Sequence, residues 1–178
     1  APSGTVKLGT AATGSSVGGL AGALNVGVAD GSSYISTRGQ WVNDSLLSGV
    51  PDWSKSLTIN GGSINLSSGG DLLLASGTKL DASGGAWLDA SNKYHGGNGG
   101  AITLKSGKVT GVAFRTQLEG VDLRSYGTAG GKGGSLTIAA SDIVLGSADN
   151  ANSTTLVLPA AFFQNGGFTG YDLTAQRS

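Results

Sequence analysis

The chain contains no cysteine. That excludes a disulfide framework, a thiolate metal site and a cysteine nucleophile. It suits a protein held unfolded while it crosses membranes, as well as many that never cross one. Methionine is also absent, so the sequence is expected to be a mature product or an excised piece of a longer chain. Charge is scarce: only 12% of residues are Asp, Glu, Lys or Arg, against the usual ~25%. Eleven cations balance eleven anions and no basic block stands out, which argues against a nucleic-acid partner. The longest mainly apolar run, residues 156–163, is broken by Pro159. It falls far short of the ~20 residues that a membrane span requires. Residues 1–10 are polar and lack the basic-then-apolar pattern of a signal peptide. The chain therefore reads as soluble or exported, with no membrane span.

What is present is glycine, 33 residues of it. Disorder would require few apolar residues and high net charge. This chain is 38% apolar with no net charge, so its glycine is expected to serve a folded structure with many tight turns. The sequence also repeats. Residues 96–104 read GGNGGAITL and residues 130–138 read GGKGGSLTI. The two share every glycine and the threonine and exchange Ile with Leu. Weaker copies are GGSINL at 61–66, GGDLLL at 69–74 and GGAWLD at 84–89.

Between the glycines, apolar residues alternate with polar ones in short pieces, as in Leu57-Thr58-Ile59, Ile64-Asn65-Leu66 and Ile102-Thr103-Leu104. A period of two marks half-buried strands. Spacings of seven or eight residues near 65, 73, 80 and 88 leave no room for helices. Asp30-Gly31, Asn60-Gly61 and Asn165-Gly166 would suit hairpin turns, but the long-range repeat favours a stacked coil. The expected fold is all-β, a parallel β-helix (solenoid) with short strands and Gly-rich turns. Three faces are expected, with strand centres near 65, 88, 122 and 157, near 73, 103, 137 and 172, and near 58, 80, 112 and 144. Residues 34–178 form the coil, with loop insertions near 90–100 and 125–134. Residues 1–33 are an irregular Gly/Ala/Ser-rich lead-in. It either adds strands around Val6, Leu8, Leu24, Val26 and Val28 or acts as a linker. Trp41, Leu46 and Leu47 are expected to cover the core, and the residues after Leu173 to fray.

The succession TRGQWVND (37–44), INGGSINL (59–66), GTKLDASGG (77–85), GGNGGAITL (96–104) and SLTIAASDIVLG (135–146) resembles filamentous haemagglutinin-like exoproteins of Gram-negative bacteria. These are the large partners of two-partner secretion systems. The resemblance covers about residues 35–175. It implies a right-handed β-helical shaft on the cell surface or secreted, and export through an outer-membrane transporter partner. It further implies a role in adhesion, biofilm attachment or contact-dependent toxin delivery. No trace of that family's N-terminal secretion domain is recognisable, so the match is to interior shaft.

Candidate chemistry is sparse. Asp81 and Asp89 each lie in an Asp-Ala-Ser triplet. A β-helical polysaccharide-degrading enzyme would need two such carboxyls ~5–9.5 Å apart. The plainer reading is that each aspartate binds its own turn. His95, the single histidine, has no Cys or second His for a metal site, and no G-x-S-x-G elbow accompanies it. The glycine loops lack the aspartate of calcium-binding β-rolls and the G-x-x-x-x-G-K-[ST] of a phosphate loop. No cofactor is expected. The best lead is aromatic: Tyr94 and Tyr126 occupy the two repeated loops, beside His95, Asn98 and Lys132. Such a set suits recognition of a surface glycan or a protein receptor. The alternative is that each tyrosine packs over the rim of the coil. Trp41, Trp53 and Trp87 are expected to pack in the core or at its rim.

Overall fold

Alternating apolar residues become strands here because neighbouring layers of chain supply the hydrogen-bond partners that no single layer can. The computed structural model describes residues 3–11, 22–28, 33–45, 57–147 and 151–176. It is all-β; among these residues the only helical element is a 3-10 turn at Ala160–Gln164.

The largest sheet has five parallel strands in the order β1 (Thr5–Gly9), β5 (Ser63–Ser67), β10 (Ala101–Lys105), β13 (Ser135–Ala140) and β16 (Gly170–Ala175). Their register is unbroken. Val6, Ile64, Ile102, Leu136 and Tyr171 form one column, and Leu8, Leu66, Leu104, Ile138 and Leu173 form the next. The central six of these side chains, Ile64 to Ile138, are wholly excluded from solvent. Burying each stabilises the fold by about 1.5–3 kcal/mol.

Three smaller sheets repeat the same logic. β2 (Leu24–Val26), β6 (Leu72–Leu74) and β11 (Thr116–Gln117) are parallel, as are β3 (Tyr34–Ser36), β7 (Lys79–Asp81) and β12 (Asp122–Arg124). β4 (Trp41–Asn43) lies parallel to β8 (Ala86–Leu88), whose other edge takes β9 (Tyr94–Gly96) antiparallel. From β1 to β4 and again from β5 to β8, the chain visits the four sheets in the same order. A separate parallel pair joins β14 (Asp142–Leu145) to β15 (Thr155–Leu158). Leu72, Leu74, Leu80, Leu123, Leu156 and Leu158 point into one core with the central columns. Near β16, Phe162, Phe163, Phe168 and Tyr171 cluster edge to face against that core.

The face assignment read from the sequence needs correction. Strands near 103, 137 and 172 do share a sheet, but their fourth member is the strand near 65, not the one near 73. Strands at 80 and 123 pair together, and 88 pairs with 42. Leu57–Ile59 is not a strand, although its carbonyls accept Gln40 and Gly85 N–H. Val112 sits in an exposed bridge with Val109. Within the expected 90–100 insertion, residues 94–96 form β9. β16 continues in register to Ala175 where fraying was expected. Trp41 is 64% exposed and covers no core; Leu46, Leu47 and Trp53 lie outside the described residues.

The reason for the altered stacking is steric. Gly62, Gly100 and Gly134 each precede a strand of the large sheet and stack in a column. A Cβ on Gly100 would collide with the Gly62 carbonyl, and one on Gly134 with the Gly100 carbonyl. Those carbonyls accept the next layer's N–H, from Ala101 at 3.1 Å and Ser135 at 3.1 Å. Alternation reveals which side chains face inward, whereas this glycine column decides which strands are neighbours.

Two outcomes follow. Leu104→Ala should destabilise by about 2–5 kcal/mol in urea unfolding, because the cavity is enclosed by neighbouring layers. Leu145→Ala, at a side chain 61% exposed, should stay within about 0.5 kcal/mol.

Candidate functional site

The loop carrying Tyr94 and His95 is a hairpin built by one aspartate. Asp89 Oδ1 accepts the N–H of Ser91 and of Lys93, both at 2.9 Å, and Asn92 takes the left-handed conformation between them. Asn tolerates that region better than most residues. The other carboxylate oxygen, Oδ2, lies 2.8 Å from His95 Nε2. The imidazole stacks on Trp87 with ring centroids 4.6 Å apart, and the Trp87 indole N–H donates to Asp44 at 2.8 Å. His95 is thus held from two sides. Its hydrogen bond to Asp89, with the Lys93 N–H, keeps the Asp89 carboxyl below its ordinary value near 3.8.

The two repeated loops do lie side by side. Asn98 is the link: its N–H donates to Asn60 Oδ1 and its own Oδ1 accepts the Lys132 N–H, each at 2.8 Å. The same three positions exchange backbone bonds, Gly61 N–H to Asn98 and Gly99 N–H to Lys132. Asn98 therefore acts as a rung between layers. The tyrosines, however, do not converge. Tyr94 lines a cleft of about 250 Å3 with Trp41, Val42 and Leu88. Tyr126 lines a different one of about 450 Å3 with Arg124, Asn165 and Phe168. The Tyr126 ring lies on the backbone of Gly167, where a Cβ would strike it. That is the rim packing open to an amphipathic aromatic.

Asp81 and Asp89 are engaged separately. Asp81 Oδ1 accepts the Ser83 N–H at 3.0 Å, the local turn bond expected of aspartate. Its Oδ2 accepts the Tyr34 hydroxyl at 3.3 Å and faces Arg38 Nε at 3.5 Å. No group of three His, Cys, Asp or Glu suited to a metal ion occurs among the described residues.

One site escaped the sequence reading. Tyr34, Arg38, Lys79, Asp81 and Arg124 line a cleft of about 400 Å3 on the outer face of the β3–β7–β12 sheet. Register assembles it: Tyr34, Lys79 and Asp122 form one outward row, and Ser36, Asp81 and Arg124 the next. Arg124 grips Asp122 through Nε at 2.9 Å, which raises its already high pKa. These residues come from segments more than forty positions apart. No local motif could have flagged them.

Acidification should loosen the hairpin. The Asp89 contribution is complete above the unfolded carboxyl value and is lost as pH falls through the lowered folded one. Amide exchange at Lys93 should accelerate on that descent. In Asp89→Ala it should be fast at every pH. Asn98→Ala should cost about 0.5–1.5 kcal/mol, the net worth of the lost hydrogen bond to the exposed Lys132 N–H, read as a lower urea midpoint.

Searches of protein-family models, of curated proteins and of solved structures return no match to this chain.

Proposed function

We propose that the chain is a segment of right-handed parallel β-helix. It serves as the stiff shaft of a secreted, adhesin-like exoprotein of the filamentous haemagglutinin type. The observation that supports this reading most is the unbroken register of the five-stranded sheet, with its stacked Ile and Leu columns. Strands one layer apart sit at the ~4.8 Å spacing of a continuous parallel ladder. A stack of this kind grows by adding layers, each burying the apolar face of the one before. Its work is mechanical: it carries distal parts of the protein away from the cell and displays side loops for attachment. Such a chain reaches the surface through an outer-membrane transporter partner, and the absence of cysteine suits that route.

Removing residues 101–134 joins Gly100 to Ser135, the register partner of Ala101, and so takes out one layer without shifting the strand. The shortened chain should still unfold cooperatively with a β-type circular dichroism spectrum. Removing residues 103–135 joins Ile102 to Leu136, sets two inward positions side by side and so turns the rest of the strand inside out, and should abolish folding. Equal collapse of both would count against the coil. Electron microscopy of the parent protein should show a filament; a globular particle would end the shaft reading.

A further inference from the structure

We propose that the Tyr34–Arg38–Lys79–Asp81–Arg124 cleft binds a polysaccharide bearing uronic-acid carboxylates. The inference stands apart from the shaft reading and from the Tyr94 loop.

Charge is the first argument. In a chain with 12% charged residues, this one face gathers Arg38, Lys79 and Arg124 with Asp81 and Asp122. Three cations against two carboxylates leave one positive charge. Asp122 engages Arg124, and Asp81, largely buried, is held by the Ser83 N–H, the Tyr34 hydroxyl and Arg38 Nε. The Arg38 side chain is itself 46% exposed. Lys79 is exposed and makes no side-chain bond among the described residues. Both groups line the same cleft, and they are the cations assigned to the carboxylates of the ligand. A densely sulfated chain would meet Asp81 and Asp122 as well, and like charges brought together cost free energy.

Shape is the second argument. The row Tyr34, Lys79, Asp122 crosses three layers, roughly 10 Å at the strand spacing. The adjoining cleft of about 450 Å3 shares Arg124 and continues towards Tyr126 and Phe168. Charged donors and an exposed tyrosine at each end form a track for an extended sugar chain. Tyr34 is 56% exposed and Tyr126 48%. Their rings offer apolar faces against which the C–H face of a pyranose can pack.

A hyaluronan octasaccharide, with one carboxylate per disaccharide, is the probe. Titration calorimetry at low salt should show saturable binding. Lys79→Gln and Arg38→Gln should each weaken it roughly tenfold, the loss expected for one charge-assisted hydrogen bond. Lys79→Arg should restore most of it. Lys105→Gln, a cation on the five-stranded sheet, should leave it unchanged. Unaltered urea midpoints would show that the variants remain folded. The proposal is overturned by the absence of saturable binding, or by equal affinity for the carboxyl-reduced octasaccharide. It is equally overturned by tighter binding of a dextran sulfate oligosaccharide of the same length, which carries no carboxylate and would mark non-specific attraction to charge density.

Discussion

Each central strand of the large sheet begins beside a glycine on which the next layer rests. At Gly62, Gly100 and Gly134 the backbone of one layer lies where a side chain would otherwise stand. This close approach brings the carbonyl of one glycine to the N–H that follows the next. Once that column is set, Ile64, Ile102 and Leu136 must fall on one another, as must Leu66, Leu104 and Ile138. The interior then fills with branched aliphatic side chains, and the neighbouring sheets inherit their register from the same layers. Glycine, elsewhere a source of chain entropy, acts here by absence of volume.

The surface features depend on this stacking. Asn98 bonds to the layers on both sides only because residues 60, 98 and 132 occupy the same place in consecutive layers. The charged cleft exists because Tyr34, Lys79 and Asp122, and likewise Ser36, Asp81 and Arg124, meet across strands. The Asp89–His95–Trp87 hairpin is an exception in kind. It is a local turn that joins β8 to the edge strand β9, held by its own side chains. Two ways of making a site thus coexist: one by register across layers, the other by a self-contained turn.

Legibility followed the same division. Strands were readable where the alternation follows a glycine pair, as at Ile64-Asn65-Leu66 and Leu136-Thr137-Ile138. The repeat at 96–104 and 130–138 correctly placed β10 and β13 side by side. Its weaker copy GGSINL carried the same glycine pair and still was assigned to another face. Spacing alone could not say that β5 belonged with them, because the interval from β5 to β10 holds a whole hairpin. Leu57–Ile59 and Val112 were expected to be strand centres, but the first accepts hydrogen bonds from Gln40 and Gly85 and the second bridges Val109, and neither forms a strand. Tyr94 and Tyr126 looked equivalent by loop position, yet they line different clefts.

The sequence by itself determined the all-β character, the inward face of the central strands and the turn-binding habit of Asp81 and Asp89. Those properties are local: they depend on periodicity and on hydrogen bonds spanning a few residues. Only the tertiary structure decided which strands stack, where Asn98 bonds, and that Arg38, Lys79 and Arg124 surround Asp81. Those are long-range facts, fixed by backbone approach between segments tens of residues apart. A parallel layer leaves no mark of its neighbour in the linear order beyond the glycines that let the two touch.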